Sequence, residues 1–288
     1  MRAHDPAQDA VRAPGLVPVR SAAPGLASRL MGRVRKLPAV AVLAAAAAVV
    51  AAPASGAGGS ALRLAQIQLP GFTEPQRLRS LDSAAMEVAQ RTSISAQAES
   101  RLVPLTTEDL YALPLLFLPS DRLLPQLASS DAAVLSAWLR TGGTLVIDWQ
   151  GGGAELDAFR TSVEELVADL VPGAALERVP AGHVLFRSFY RLTYASGRIR
   201  LVDDLYAAVV DDRYAVLVSF NDLLSAVERN PGGDYRFDVV PGGQAQREDA
   251  VRLLVNIVSY AMCLDYKNDK VHLDYLKSRR NWRLPGEE

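Results

Sequence analysis

The sequence predicts an α/β layered domain built on a mostly parallel sheet, and three observations predict it. Runs that alternate with period two take turns with runs of helical period between residues 62 and 264. Two short runs, 114–118 (PLLFL) and 144–149 (TLVIDW), are apolar almost throughout, the pattern of strands covered on both faces and therefore of a parallel sheet. Two β-rich runs, 205–210 and 214–220, flank Asp211-Asp212-Arg213, a hairpin signal that gives the sheet an antiparallel edge.

The elements follow in order. Residues 62–69 (LRLAQIQL) alternate apolar and polar and stop at Pro70-Gly71, as a strand does. Ser80 is placed to cap a helix running to about Arg91, with Leu81, Ala84, Ala85 and Val88 on its apolar face. A polar loop leads to a short extended run at 102–105, and Thr106 and Thr107 precede Glu108-Asp109 as the start of a short helix. The strand 114–118 ends at Pro119-Ser120-Asp121. Ser130 is placed to cap a helix carrying Val134, Leu135, Trp138 and Leu139; Gly142-Gly143 ends it and the strand 144–149 follows. After a glycine loop at 151–153, Phe159, Val163, Leu166, Val167 and Leu170 recur at helical spacing up to Pro172-Gly173. The last helix spans about 244–264. Its two apolar stripes leave Arg252, Asn256, Ser259 and Cys263 as a narrow polar strip, so it is expected to be largely buried.

Composition excludes several functions. The chain has 288 residues, with Lys plus Arg 31 against Asp plus Glu 32, so no long-range field draws nucleic acid to it. A single Cys and three His without zinc-site spacing leave no disulfide framework and no metal centre, and no cofactor is expected. The charge is split, however. Residues 1–57 hold seven basic groups against Asp5 and Asp9, and residues 37–52 are uncharged, rich in Ala, Val and Leu, and preceded by Arg33-Val34-Arg35-Lys36. Small residues at Ala54 and Ala57 complete a secretory signal pattern, with cleavage expected after Ala57. Starting at Met31 makes the basic region ordinary in length, which sets residues 1–30 aside as a disordered or mis-called extension, 31–57 as signal peptide, 58–282 as one α/β domain and 283–288 as a disordered tail. The other reading is an uncleaved anchor to the inner membrane through 37–57, since 37–62 carries no charge. Either way the domain is expected in the periplasm or cell envelope.

Three segments then carry a resemblance: 183–190 (HVLFRSFY), 218–223 (VSFNDL) and 255–267 (VNIVSYAMCLDYK), together with 276–280 (LKSRR). They resemble a bacterial domain family of unknown function that also forms the C-terminal part of larger BatA-like, aerotolerance-type membrane proteins. The likeness covers roughly residues 62–281, and departs from the family pattern at Val184, where proline usually follows the His. It implies a flavodoxin-like sheet similar to class I glutamine amidotransferases, with helices on both faces, and an envelope or membrane protein as partner. It implies no established activity.

Amidotransferase chemistry needs a thiolate on a strand-to-helix elbow with a His in reach. The turn after 144–149 offers Gln150-Gly151 instead, and Cys263 falls near the end of the last helix as an inert buried thiol. Ligands of open α/β sheets sit beyond the carboxyl ends of the strands, which presents Ser120, Asp121, Asp148, Gln150, Asn221 and Asp222. Asp121 and Asp148 are the candidate carboxylates for acid/base work with His183, against a reading in which Asp121 and Asn221-Asp222 cap turns and helices. The glycines at 151–153 lack phosphate-loop spacing. His183 and Arg187, with Tyr190 and Tyr194, form a second constellation: on an extended segment they face one side and suit an anion, or they fix a loop through backbone carbonyls. The expected role is an exported, non-catalytic binding or assembly module, with a hydrolase or transferase acting through Asp148, Asp121 and His183 on a small polar ligand as the alternative.

Overall fold

A computed structural model describes residues 61–72, 77–105 and 108–262, all within the compact unit 56–288. The expectations for the signal segment, Thr106, Thr107, Cys263 and the tail 283–288 lie outside the described residues. Seven strands form one sheet: β1 (Leu62–Gln68), β2 (Ala96–Pro104), β3 (Leu115–Ser120), β4 (Thr144–Trp149), β5 (Glu177–Arg178), β6 (Tyr206–Val210) and β7 (Arg213–Ser219). Their spatial order is β2-β1-β3-β4-β7-β6-β5, parallel from β2 to β7 and antiparallel across β7, β6 and β5. The mixed α/β class and the antiparallel edge read from the sequence are therefore present.

Among the described residues, five α-helices cover the sheet: α1 (Leu78–Arg91), α2 (Ser129–Arg140), α3 (Leu156–Leu170), α4 (Leu223–Val227) and α5 (Gly243–Met262). Alternation along the central strands explains the two layers. Phe117, Val146 and Leu217 point toward α1, α4 and α5, whereas Leu116, Leu118, Leu145, Ile147, Val216 and Val218 point toward α2 and α3. All six residues of β3 and all six of β4 are buried, which is why both read as unbroken apolar runs. Among the described residues no helix is long and apolar enough to cross a membrane.

Several boundaries differ from the sequence reading. α1 begins at Leu78, so Ser80 sits inside the helix rather than capping it, and its hydroxyl donates to Glu228 Oε2 at 2.6 Å. α2 starts at Ser129 without a side-chain cap. β2 covers nine residues rather than the four expected, because an exposed edge strand needs no apolar pattern. Its register against β1 shifts between Arg63 and Ala65; beside the shift, Ser100 is turned toward α1, donating from its amide to Asp82 Oδ1 at 2.8 Å and from its hydroxyl to Leu78 O at 2.7 Å.

The α1/α4/α5 face is laced by charge. Arg91 grips Glu248 with both terminal nitrogens at 2.7 and 2.9 Å and reaches Glu87 with Nε at 2.8 Å. Arg229 donates to the other oxygen of Glu87 at 2.8 Å, and its guanidinium lies 4.0 Å from the centre of the Tyr235 ring. Arg247 covers the same ring at 4.1 Å and donates to Ala226 O at 2.5 Å and Phe237 O at 2.6 Å.

Gly143 closes α2 onto β4 because a side chain there has no room. An added Cβ would stand 2.2 Å from the indole of Trp138, which is buried and donates to Leu113 O at 2.9 Å. Gly143→Ala is expected to displace that ring and to cost about 2–3 kcal/mol, read as a lowered denaturant midpoint.

Candidate functional site

The carboxyl ends of β3, β4 and β7 gather most of the polar residues expected there, and the structure shows what each one holds. Asp148, the fifth residue of β4, is fully buried. Its Oδ1 accepts from the Leu223 amide at 2.8 Å and its Oδ2 from the Leu224 amide at 2.9 Å, so a strand side chain satisfies the open first turn of α4. Asp222 is the N-cap of α4 in left-handed backbone (φ 55°) and accepts from the Ser225 amide at 3.4 Å and from Arg198 Nε. The expected capping role of Asp222 is thus present.

Asn221 does not share that role. Fully buried, it accepts the amides of Leu201 at 2.9 Å and Val202 at 3.1 Å and donates to Val202 O at 2.7 Å and Ala195 O at 3.4 Å, fixing the loop 195–202. Gly197 in that loop lies against the Asn221 main chain, where a Cβ would come within 2.0 Å of its carbonyl oxygen. Ser120 closes a turn, donating to Arg122 O at 2.5 Å and accepting the Arg122 amide at 3.2 Å. Asp121 is exposed and pairs with Arg122 at 2.9 Å.

Gln150 Oε1 accepts from Arg77 Nε at 2.8 Å, which orients the amide, and its enclosed Nε2 has no partner among the described residues. The Arg77 amide in turn donates to Gln66 Oε1 at 2.8 Å. Arg77, Gln66, Arg198 and Gly197 escaped the sequence reading. Gln66 gave no signal, since a polar residue is ordinary in a run read as alternating; the structure shows it 0 % exposed. The glycine loop is no phosphate cradle. A Cβ on Gly151 would meet the Trp149 ring at 2.1 Å, and Trp149 Nε1 donates to Gly152 O at 3.1 Å, so the loop is shaped by packing.

Burial, and then the neighbouring Asp222 carboxylate, push the Asp148 carboxyl above its ordinary value; the Leu224 and Leu223 amides and the Ser219 hydroxyl pull the other way. Burial likewise raises Asp222, opposed by its bonds to Ser225 and Arg198 and by the charge of Arg77. A raised folded-state value means that the folded protein holds a proton that the unfolded chain has released. The stability so contributed is complete below about pH 4, the unfolded value, and is lost as pH rises through the folded value. Asp148→Asn is expected to lower stability by about 1–3 kcal/mol in acid, since one amide then faces an NH2 group. That gap should narrow toward neutral pH, which urea titrations from pH 4 to 8 would read; a gap constant with pH would show that Asp148 is not raised.

His183 lies elsewhere. It lines a cavity with Gly143 and Arg213, at the amino ends of β4 and β7, and four strand residues, about 13 Å, separate that end from Asp148. The structure therefore does not bring Asp148, Asp121 and His183 together. The segment 183–187 is also not extended: His183 caps a 3-10 turn, Val184–Arg187, accepting the Leu185 amide on Nδ1 at 3.2 Å, so the shared face with Arg187 expected of a strand does not exist. The main chain at Tyr190 is held by Asn256, which accepts its amide at 2.7 Å and donates to its carbonyl at 2.8 Å; Tyr194 donates to Asp249. Among the described residues no three His, Cys, Asp or Glu side chains converge as a metal site.

These features define an α/β domain of parallel strands with an antiparallel edge, in which the buried strand-end carboxylates Asp148 and Asp222 serve the backbone. Residues 64–262 match the model of the family described as a domain of unknown function, DUF4159, and the chain belongs to that family. No curated protein matches it.

Proposed function

We propose that this chain is an exported, non-catalytic, amidotransferase-like domain that acts as a binding or assembly module in the cell envelope, with an envelope or membrane protein as its partner. The observation that carries the reading is the use of the strand-end groups. Asp148, Asn221, Asp222 and Ser120 each hold the backbone of a neighbouring turn, loop or helix, and Gln150 occupies the turn where amidotransferase chemistry needs a thiolate. A flavodoxin-like arrangement is supported by the order β2-β1-β3-β4-β7, which reproduces the 2-1-3-4-5 pattern among the five parallel strands. Export is supported by the uncharged segment 37–52 behind its basic flank.

Intact mass and membrane partition in the native host test the localisation. A species starting at Gly58 in the soluble envelope fraction is expected; a membrane-bound species retaining 37–57 would make the module an anchored one, and a full-length cytosolic chain would overturn export. Incubating the purified protein with glutamine tests the rest, since ammonia release above the buffer rate would overturn the non-catalytic reading.

A further inference from the structure

The segment after the 3-10 turn at His183 presents an aromatic ring between two cations. Exposure alternates along it: Arg187, Phe189 and Arg191 are exposed, whereas Ser188 and Tyr190 are half-buried and Leu192 is buried. Phe189 is 47 % exposed and rests against Tyr190, with ring centroids 4.9 Å apart. Neither Arg187 nor Arg191 has an ion pair among the described residues. The mount is fixed from behind by the buried Asn256, whose Oδ1 accepts the amides of Phe189 at 3.1 Å and Tyr190 at 2.7 Å and whose Nδ2 donates to Tyr190 O at 2.8 Å. A partner would therefore meet a ring whose backbone is already held in place, which lowers the ordering cost of contact.

The outer face of α3 has the complementary chemistry. Asp157, Glu164, Glu165 and Asp169 are all exposed, and none has an ion pair among the described residues. Helical spacing sets Asp157 and Glu164 on one side of a seam made by the exposed Thr161 and Ala168, and Glu165 and Asp169 on the other. Arg187 and Arg191 are four residues apart, at most about 13 Å along an extended chain. That matches the width of a helix with its side chains, about 10–12 Å, so the segment 187–191 can cross α3 with its ring on the seam and one cation over each acidic row.

We propose that this domain assembles head to tail with copies of itself, the segment 187–191 of one copy lying across α3 of the next, with Phe189 on the Thr161–Ala168 seam. Two surfaces of opposite charge and matching width, both without internal ion pairs, favour a second copy over an anionic membrane, which would answer the arginines alone. The two surfaces cannot meet within one chain. Leu185, Phe186 and Leu192 pack into the core layer of α1, α4 and α5, whereas α3 packs on the opposite face of the sheet. A contact between unlike surfaces leaves one of each open at the ends, so it continues beyond a dimer. This contact rests on the assembly role proposed above, and self-association of the purified chain is read independently of its export and of ammonia release.

The test is sedimentation velocity of the full chain over a range of concentrations at low and high salt. Species larger than a dimer are expected at low salt, and a weaker association at high salt, where exposed charges are screened. Two charge-reversed variants separate the surfaces: Arg187→Glu with Arg191→Glu, and Glu164→Lys with Glu165→Lys, which reverses one charge in each acidic row. All four positions are exposed, so the fold should tolerate the changes. Each variant alone is expected to associate about tenfold or more weakly, and an equal mixture of the two to recover association, because the acidic segment of one then meets the basic helix of the other. Phe189→Ala should weaken association about tenfold and keep its salt dependence. Absence of oligomers at low salt, association that persists in both variants, as contact through residues 37–52 would, or no recovery on mixing would overturn the proposal. So would binding to phosphatidylglycerol vesicles that Arg187→Glu with Arg191→Glu abolishes in a chain that does not self-associate, which would assign the segment to a membrane.

Discussion

Asn221→Ala is expected to lower the unfolding free energy by about 3–5 kcal/mol, seen as a fall in the urea midpoint at unchanged slope. The side chain is 0 % exposed and serves four backbone groups at once: the amides of Leu201 and Val202 and the carbonyls of Val202 and Ala195. Alanine leaves all four without their side-chain partner in a partly to fully buried loop, and each group so orphaned costs about 1–3 kcal/mol, less than additively. Asn221→Asp should be nearly as damaging, since its oxygens would replace the donor that faces Val202 O and Ala195 O. A loss below about 1 kcal/mol would mean that the loop 195–202 moves out and hydrates.

Gly197→Ala is expected to cost at least as much, about 3 kcal/mol or more, by a different route. The new methyl would stand 2.0 Å from the carbonyl oxygen of Asn221 and 2.6 Å from its carbonyl carbon. Both are main-chain atoms of a segment fixed on two sides: the Asp222 amide donates to Trp149 O at 3.0 Å, and the Asn221 carbonyl itself accepts the Ile199 amide at 3.1 Å. The segment cannot yield as a side chain would. Because the clash is with backbone, Asn221→Ala does not relieve it, and the double variant is expected to be less stable than either single one in the same titration.

The parts of this fold that local pattern controls were legible in the sequence. β4 matches the run 144–149 residue for residue because a strand covered on both faces is apolar at nearly every position, Asp148 being the polar one inside it. β2 was largely invisible for the opposite reason: Glu99 and Arg101 are exposed on an edge strand, where nothing requires an apolar residue. Ser80 shows how a local rule yields to a distant partner. It has the residue type of a cap, but its hydroxyl bonds Glu228, 148 positions away, and the helix starts before it. His183 and Arg187 misled similarly, since a five-residue run of mixed residues fits a strand or a 3-10 turn equally well.

At the candidate site, strand-end position identified Asp148, Asn221 and Asp222, while their duties stayed hidden. Asp148 meets amides 75 and 76 residues on, and Arg77 meets Gln150 across 73. Such pairings leave no mark in either segment until the chain has folded.

The ladder of Arg91, Glu87, Glu248, Arg229 and Arg247 gives the two faces of the sheet unequal mechanics. Glu87 on α1, Glu248 on α5 and Arg229 in the loop after α4 each have partners on another segment, so releasing one strips charge partners from the others. On the opposite face α2 and α3 meet the sheet mainly through apolar side chains, with Arg140–Asp211, Arg213 on Leu139 O and Arg160 on Tyr206 as charged fastenings. Among the described residues, release of α1 would therefore strip charge partners from Glu248 on α5 and from Arg229 after α4 at once, which ties those segments to one another as well as to the sheet.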